Sequence, residues 1–216
     1  MTPSYGRSFH KITIFSPKKK RVSSLDILFR SFENYIPLNK EEKADLGEMV
    51  TERRIKRKQF ILQEEEICRH FSFVVEGCFK KFQVDKHGVE HNLQFIAEND
   101  WVIEIDSFYH ARPSHVFVEA IEPAVILQLN REDLITLYGK YPKFNRIFRV
   151  IIENRFVELE NRVLQTISST AEERYLFFIR HYPSLTSRLP NTQIASYLGI
   201  TPEFLSKIRK DLSQRK

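Results

Sequence analysis

Cysteine, glycine and tryptophan are scarce in this chain, with two, six and one in 216 residues. Cys68 and Cys78 form no CxxC pair, and four thiolates for an iron–sulfur cluster are not available. Both read as small apolar side chains in a reducing compartment, which places the protein in the cytoplasm. No glycine-rich loop can cradle phosphates and no serine or cysteine sits in a nucleophile elbow, so an enzyme is not indicated. No apolar run approaches the ~18 residues of a spanning helix and no signal-peptide pattern opens the chain, so a membrane is not an expected partner. Among seven histidines, His87 and His91 stand nearest, but an i, i+4 pair on a strand lies ~13 Å apart. No metal is expected.

What is present is positive charge and length. A formal charge of +6 favours an anionic partner, and 216 residues can bury the cores of two domains.

The most informative stretch lies at the C-terminal end. Ile194, Ala195 and Leu198 give a short helix an apolar face, Gly199 suits the left-handed stop, and Ile200 plugs the angle that follows. Thr201 offers an N-cap oxygen, Pro202 fits the first helical position, and Glu203 suits the positive end of the dipole. On this second helix Leu205, Ile208 and Leu212 face the first helix, leaving Glu203, Phe204, Ser206, Lys207, Lys210 and Asp211 outside. The pattern is that of a helix-turn-helix with double-stranded DNA as its partner, although a hairpin used only for packing would share the two-helix spacing.

Upstream, residues 1–22, with Lys18–Arg21, read as a basic disordered arm. Leu25 to about Met49 suggests short helices. From Thr51 to Leu129, strand-like runs at 59–62, 71–75, 79–84, 90–96 and 115–129 are divided by turn residues, including Gly77 and the hairpin turn Asp85–Gly88. Such spacing predicts an antiparallel β-roll, jelly-roll-like, over 23–140. Arg131–Leu134 opens a helix, and Pro142 starts a longer one over 141–168. Its positions Phe144, Phe148, Ile152, Phe156, Leu159 and Val163 step by three or four residues, as a dimer helix requires. A helix packed on its own roll would look similar. Residues 169–216 then hold a supporting helix and the helix-turn-helix. The fold class is α+β: an N-terminal roll, a long dimerisation helix and a C-terminal helical, winged-helix-like domain.

This order of parts resembles the CRP/FNR family of bacterial transcription regulators from about residue 23 onward. The resemblance implies a homodimer on a palindromic site, with half-sites about one helical turn, ~34 Å, apart. Glu203, Ser206 and Lys207 match the Glu-x-x-Ser-basic pattern with which the FNR branch reads half-sites resembling TTGA, with Phe204 and Pro202 alongside. Lysine stands where that branch has arginine. Glu203 can accept from a cytosine amino group, and Lys207 can donate to guanine. Thr192, Gln193, Thr201, Arg209 and Lys210, with Arg215, are placed for phosphates.

The nucleotide pocket departs from the family. The matching stretch carries Ile103 in place of glycine, keeps Glu104, and sets Ser114 and His115 at the arginine–serine pair, with Arg112 nearby. Leu159 and Glu160 replace the purine-contacting pair. Losing one charge-assisted phosphate contact forfeits ~1.5–3 kcal/mol, so cyclic AMP is not expected as a ligand. The family's N-terminal cluster cysteines have no counterpart, so the expected cofactor is none. RNA polymerase is a further partner that the resemblance implies, although the hairpin at 181–187 is short. Two alternatives stay open: an effector-gated sensor whose roll holds a different small molecule, with Phe71, Phe73, Phe95, Trp101, Phe108 and Phe117 as lining, and a protein-interaction adaptor that does not bind DNA.

Overall fold

The computed structural model describes residues 22–215, so the basic arm read at 1–22 lies outside them but for its last residue. Helix α1 (Ser24–Glu33) opens on a capping box in which Ser23 and Asp26 satisfy each other's amides at 3.1 and 3.3 Å. Asn39 and Glu42 open α2 (Lys40–Met49) in the same way. Leu28, Phe32 and Leu46 on these helices are fully buried.

The roll follows: β1 (Val50–Ile55), β2 (Phe60–Leu62), β3 (His70–Glu76), β4 (Phe79–Val84), β5 (Glu90–Ile96), β6 (Trp101–Val102), α3 (Ile105–His110), β7 (Phe117–Ala120) and β8 (Ala124–Asn130). They form two four-stranded sheets, ordered β1-β8-β3-β6 and β2-β7-β4-β5, with antiparallel pairing throughout. Phe71, Phe73, Phe79, Ile126 and Leu129 fill the core. Gly77 joins β3 to β4 at φ 97°, and a Cβ there would stand 2.6 Å from that of Ala124, so no other residue fits. The run read as one strand over 115–129 is broken at Ile121–Pro123 into β7 and β8. β1 was not legible because most of its side chains are exposed, and apolar alternation is absent from so polar an edge strand.

Beyond the roll come α4 (Arg131–Lys140), α5 (Pro142–Ser168), α6 (Ala171–His181), α7 (Asn191–Leu198) and α8 (Pro202–Gln214). Helix α5 has two kinds of surface. Phe144, Ile147, Phe148 and Ile151 are buried, and the Phe148 ring packs edge-on against Phe71 and Trp101 at centroid distances of 5.1 and 5.3 Å. Each such pair adds about 0.5–1.5 kcal/mol beyond area burial. Phe144 and Phe148 therefore correct the expected dimer seam: the chain's own aromatic core has already covered them. Farther along, Ile152 is half-buried, and Phe156, Leu159 and Val163 are 60%, 58% and 49% exposed, joined by Val157, Leu164 and Ile167. No helix among the described residues is long and apolar enough to cross a membrane.

Candidate nucleic-acid interface

The geometry of the last two helices follows from their ends. Gly199 takes φ 67° and its amide donates back to the Ala195 and Ser196 carbonyls, which ends α7. Thr201 accepts from the Phe204 amide at 3.2 Å and Pro202 occupies the first turn, which starts α8. Leu205 and Ile208 then bury against Ile194, Ala195 and Leu198.

This packing leaves Glu203, Phe204, Ser206, Lys207 and Lys210 exposed along one side of the domain. Ser206 donates to the Pro202 carbonyl at 2.9 Å, and Pro202 is half-buried. Thr192 and Thr201 are exposed at the two helix starts. Arg209 is turned inward, bonded to the Asn191 side chain and lying 5.9 Å from the Tyr175 ring centroid. Arg215 pairs with Glu172 at 2.6 Å. Gln193 is half-buried, and its partner is a residue of the roll.

That partner is Asn92 on β5, only 2% exposed. Its amide side chain donates to the Gln193 carbonyl at 3.1 Å and to Gln193 Oε1 at 2.9 Å. Its backbone amide donates to Ser196 Oγ at 3.1 Å, while Ser196 donates to the Glu90 carbonyl at 2.7 Å. Asn92 Oδ1 has no partner among the described residues. Arg162 of α5 joins the same seam, donating to the carbonyls of Asn92 (2.8 Å), Tyr197 (3.2 Å) and Leu93, with its guanidinium 4.3 Å from the Tyr197 ring centroid. On the far side Arg188 grips both Glu98 oxygens, at 3.0 and 2.8 Å, and also reaches Glu122. Beneath these polar contacts, Cys78 and Phe95 of the roll share one apolar cluster with Tyr175, Phe178, Leu185 and Leu198. Burial pushes the Cys78 thiol up to about 12. The helix-turn-helix is thus docked on the roll, with α7 over β5. Sequence patterns gave no sign of this seam, because its polar residues lack a periodic signature.

The expected nucleotide pocket is dispersed. Glu104 caps α3, accepting from the Ser107 amide at 2.6 Å, and faces a polar cavity of about 510 Å³ with Arg53, Cys68, His70 and Gln128. Ser114 is fully buried, its hydroxyl spent on Val116 at 3.0 and 3.2 Å. Arg112 and His115 are exposed and line neither this cavity nor the one that Ile103 faces. These five residues do not converge on one ligand position, because α3 and the Ser114 turn consume the groups that a phosphate would need.

The chain is thus built as a two-sheet roll, a long helix and a C-terminal pair of helices joined by a tight turn. Residues 52–141 match the family Cyclic nucleotide-binding domain. The probable transcriptional regulator flp of Lacticaseibacillus casei is 26% identical over 187 residues, covering 83% of this chain and 84% of the relative. The fumarate and nitrate reduction regulatory protein of Vibrio cholerae is 24% identical over 184 residues, covering 79% and 72%. Among solved structures, FixK2 from Bradyrhizobium japonicum superposes with a TM-score of 0.66 at 20% identity, covering 77% and 85%. The c-di-GMP responsive global regulator CLP of Xanthomonas campestris superposes with a TM-score of 0.68 at 12% identity, covering 82% and 93%. Over about four-fifths of its length the chain is thus similar to transcriptional regulators of the CRP/FNR type.

Proposed function

We propose that the chain is a sequence-specific DNA-binding regulator that works as a homodimer on a palindrome, with α8 of each copy in successive major grooves. The observation that carries this reading is the exposed row of Glu203, Ser206 and Lys207 on a helix whose start is fixed by Thr201 and Pro202. Glu203 reads a cytosine amino group and Lys207 a guanine edge, while Thr192, Thr201 and Lys210 hold phosphates. The apolar row of Phe156, Leu159, Val163, Leu164 and Ile167 supports a second copy as the cover for the distal half of α5. Cyclic AMP is not the ligand of this roll, in which Ile103, Glu104, Arg112, Ser114 and His115 do not converge on one position.

The docked helix-turn-helix favours a gated form of this function. The bonds from Asn92 to both Gln193 oxygens hold that side chain half-buried against β5, so in this reading α7 leaves β5 when Gln193 turns its amide donors to a phosphate. Gel retardation on a TTGA palindrome tests the reading. Lys210→Ala weakens binding to all sequences alike and lowers the salt slope by about one, whereas Glu203→Ala relaxes preference at one base pair. Equal, weak and salt-sensitive binding to every duplex by the unaltered protein would refute it.

A further inference from the structure

A second cavity, of about 470 Å³, lies where the roll, α5 and the helix-turn-helix unit meet. Trp101 and Ile103 form its roll wall, Leu159 its α5 wall, and Phe177 and Tyr197 the wall given by α6 and α7. Its volume falls within the ~300–1,000 Å³ of small-molecule sites, and aromatic and branched aliphatic side chains dominate its surface. Glu104, Arg112, Ser114 and His115 take no part in it.

Its charges are unequal in an informative way. Arg155 is answered by Asp100 and by Glu158, the latter at 2.7 Å. Arg162 is spent on carbonyl oxygens and on the face of Tyr197. Glu158 also stands 3.7 Å from His181. Lys81 is less satisfied than Arg162: its ammonium has three donors but donates to one carbonyl, that of Ile103 at 3.3 Å, and reaches no carboxylate within ion-pair distance among the described residues. Burial pulls its pKa below the ordinary lysine value, partly opposed by Glu104. A half-buried cation without an anion, at the edge of an apolar chamber, is a costly feature that a bound carboxylate would relieve.

We propose that this cavity binds an apolar monoanion, a carboxylic acid with an aromatic or medium-chain aliphatic body, whose carboxylate pairs with Lys81 and whose body lies against Trp101, Ile103, Phe177 and Tyr197. Arg162 also meets no carboxylate among the described residues, but its donors are taken by carbonyl oxygens, which leaves Lys81 as the cation placed to take one carboxylate. Part of its wall belongs to α6 and α7, so it is complete only while the helix-turn-helix is docked. The ligand therefore favours the docked form and weakens DNA binding, and DNA weakens the ligand by the same factor. This coupling rests on the DNA-binding function proposed above, whereas the binding site does not.

Trp101 is the chain's one tryptophan, so its fluorescence reports the site directly. The full chain is titrated with decanoate, and with decanol as the uncharged match, both below micelle formation. Decanoate gives a saturable change and binds roughly tenfold tighter than decanol, as one charge-assisted contact implies. Lys81→Met abolishes that preference and Lys81→Arg retains it, which separates loss of the charge from loss of the fold. No saturable change, equal affinity for the alcohol, or an unaltered preference in Lys81→Met overturns the site. Duplex binding by the ligand-free protein is measured separately. Failure there with decanoate still bound refutes the DNA function and leaves the site standing, while duplex binding strengthened by decanoate overturns the coupling.

Discussion

Asn92 donates from one side-chain amide to two oxygens of a single residue, Gln193, at 3.1 and 2.9 Å, and so ties strand β5 to the first helix of the helix-turn-helix. The arrangement is specific but not fully satisfied, because Asn92 Oδ1 is buried without a partner among the described residues. An unmet buried acceptor costs about 1–3 kcal/mol, of the same order as the two bonds contribute. The seam is therefore poised rather than locked.

Asn92→Ala removes the two bonds together with the unmet acceptor and leaves the Gln193 carbonyl and Oε1 without donors in the docked form, so affinity for a duplex site is expected to rise, by roughly tenfold if this costs about 1.4 kcal/mol of docking energy. Titration of a labelled palindrome by fluorescence anisotropy measures this. Unchanged or weaker binding would show that the docked form does not oppose DNA.

Cys78 reports the same event chemically. It is fully buried under the docked helices, and its thiol is held protonated by burial, so alkylation is slow. In Asn92→Ala the rate at Cys78 rises several-fold, whereas Cys68, in the core of the roll, keeps its rate. Mass spectrometry after timed treatment with iodoacetamide distinguishes the two sites.

Acid should open the seam from its other side. Burial pushes the Glu98 carboxyl up, but the Arg188 guanidinium and the Gly77 amide outweigh it and hold Glu98 below its ordinary value. A carboxylate with a depressed folded value stabilises the docked form above its unfolded pKa, about 4.3, and that contribution is lost as pH falls through the folded value. Exposure of Cys78, read with dithiodipyridine because that reagent still reacts with thiols in acid and referred to the rate of a free thiol at the same pH, is thus expected to increase below about pH 4 and to stay flat from there toward neutrality. Arg188→Gln shifts it to the exposed level at every pH.

The two halves of α5 predict opposite phenotypes. Leu159→Glu, on the exposed apolar row, gives a stable monomer by sedimentation, while Phe148→Ala costs about 3–5 kcal/mol of folding stability and leaves the association surface in place. A Leu159→Glu protein that remained dimeric would move the interface elsewhere.

This contrast also marks what could be read from the chain before its structure. Local signals were legible: Gly199, Thr201 and Pro202 fix the two last helices through backbone conformation and capping, which need no distant partner. Pro142 likewise set the start of α5. Periodicity showed that Phe144, Phe148, Phe156 and Leu159 share a face, but not that the roll covers the first two and leaves the others bare, since any apolar cover demands the same spacing. The docking seam joins Asn92 to Gln193 across a separation of 101 residues through polar side chains, for which the sequence offers no pattern. The nucleotide pocket was inferred by position along the chain, and in three dimensions Ile103 and Glu104 face different cavities.

The central claim is that α8 reads sequence. Selection of the full-length protein against a random duplex library at near-physiological salt, followed by sequencing of the bound fraction, tests it most directly. The account predicts enrichment of a palindrome related to TTGA with half-site centres about one helical turn apart, stronger for Asn92→Ala and degenerate at one position for Glu203→Ala. A bound fraction with no enriched sequence for any of the three proteins would contradict it.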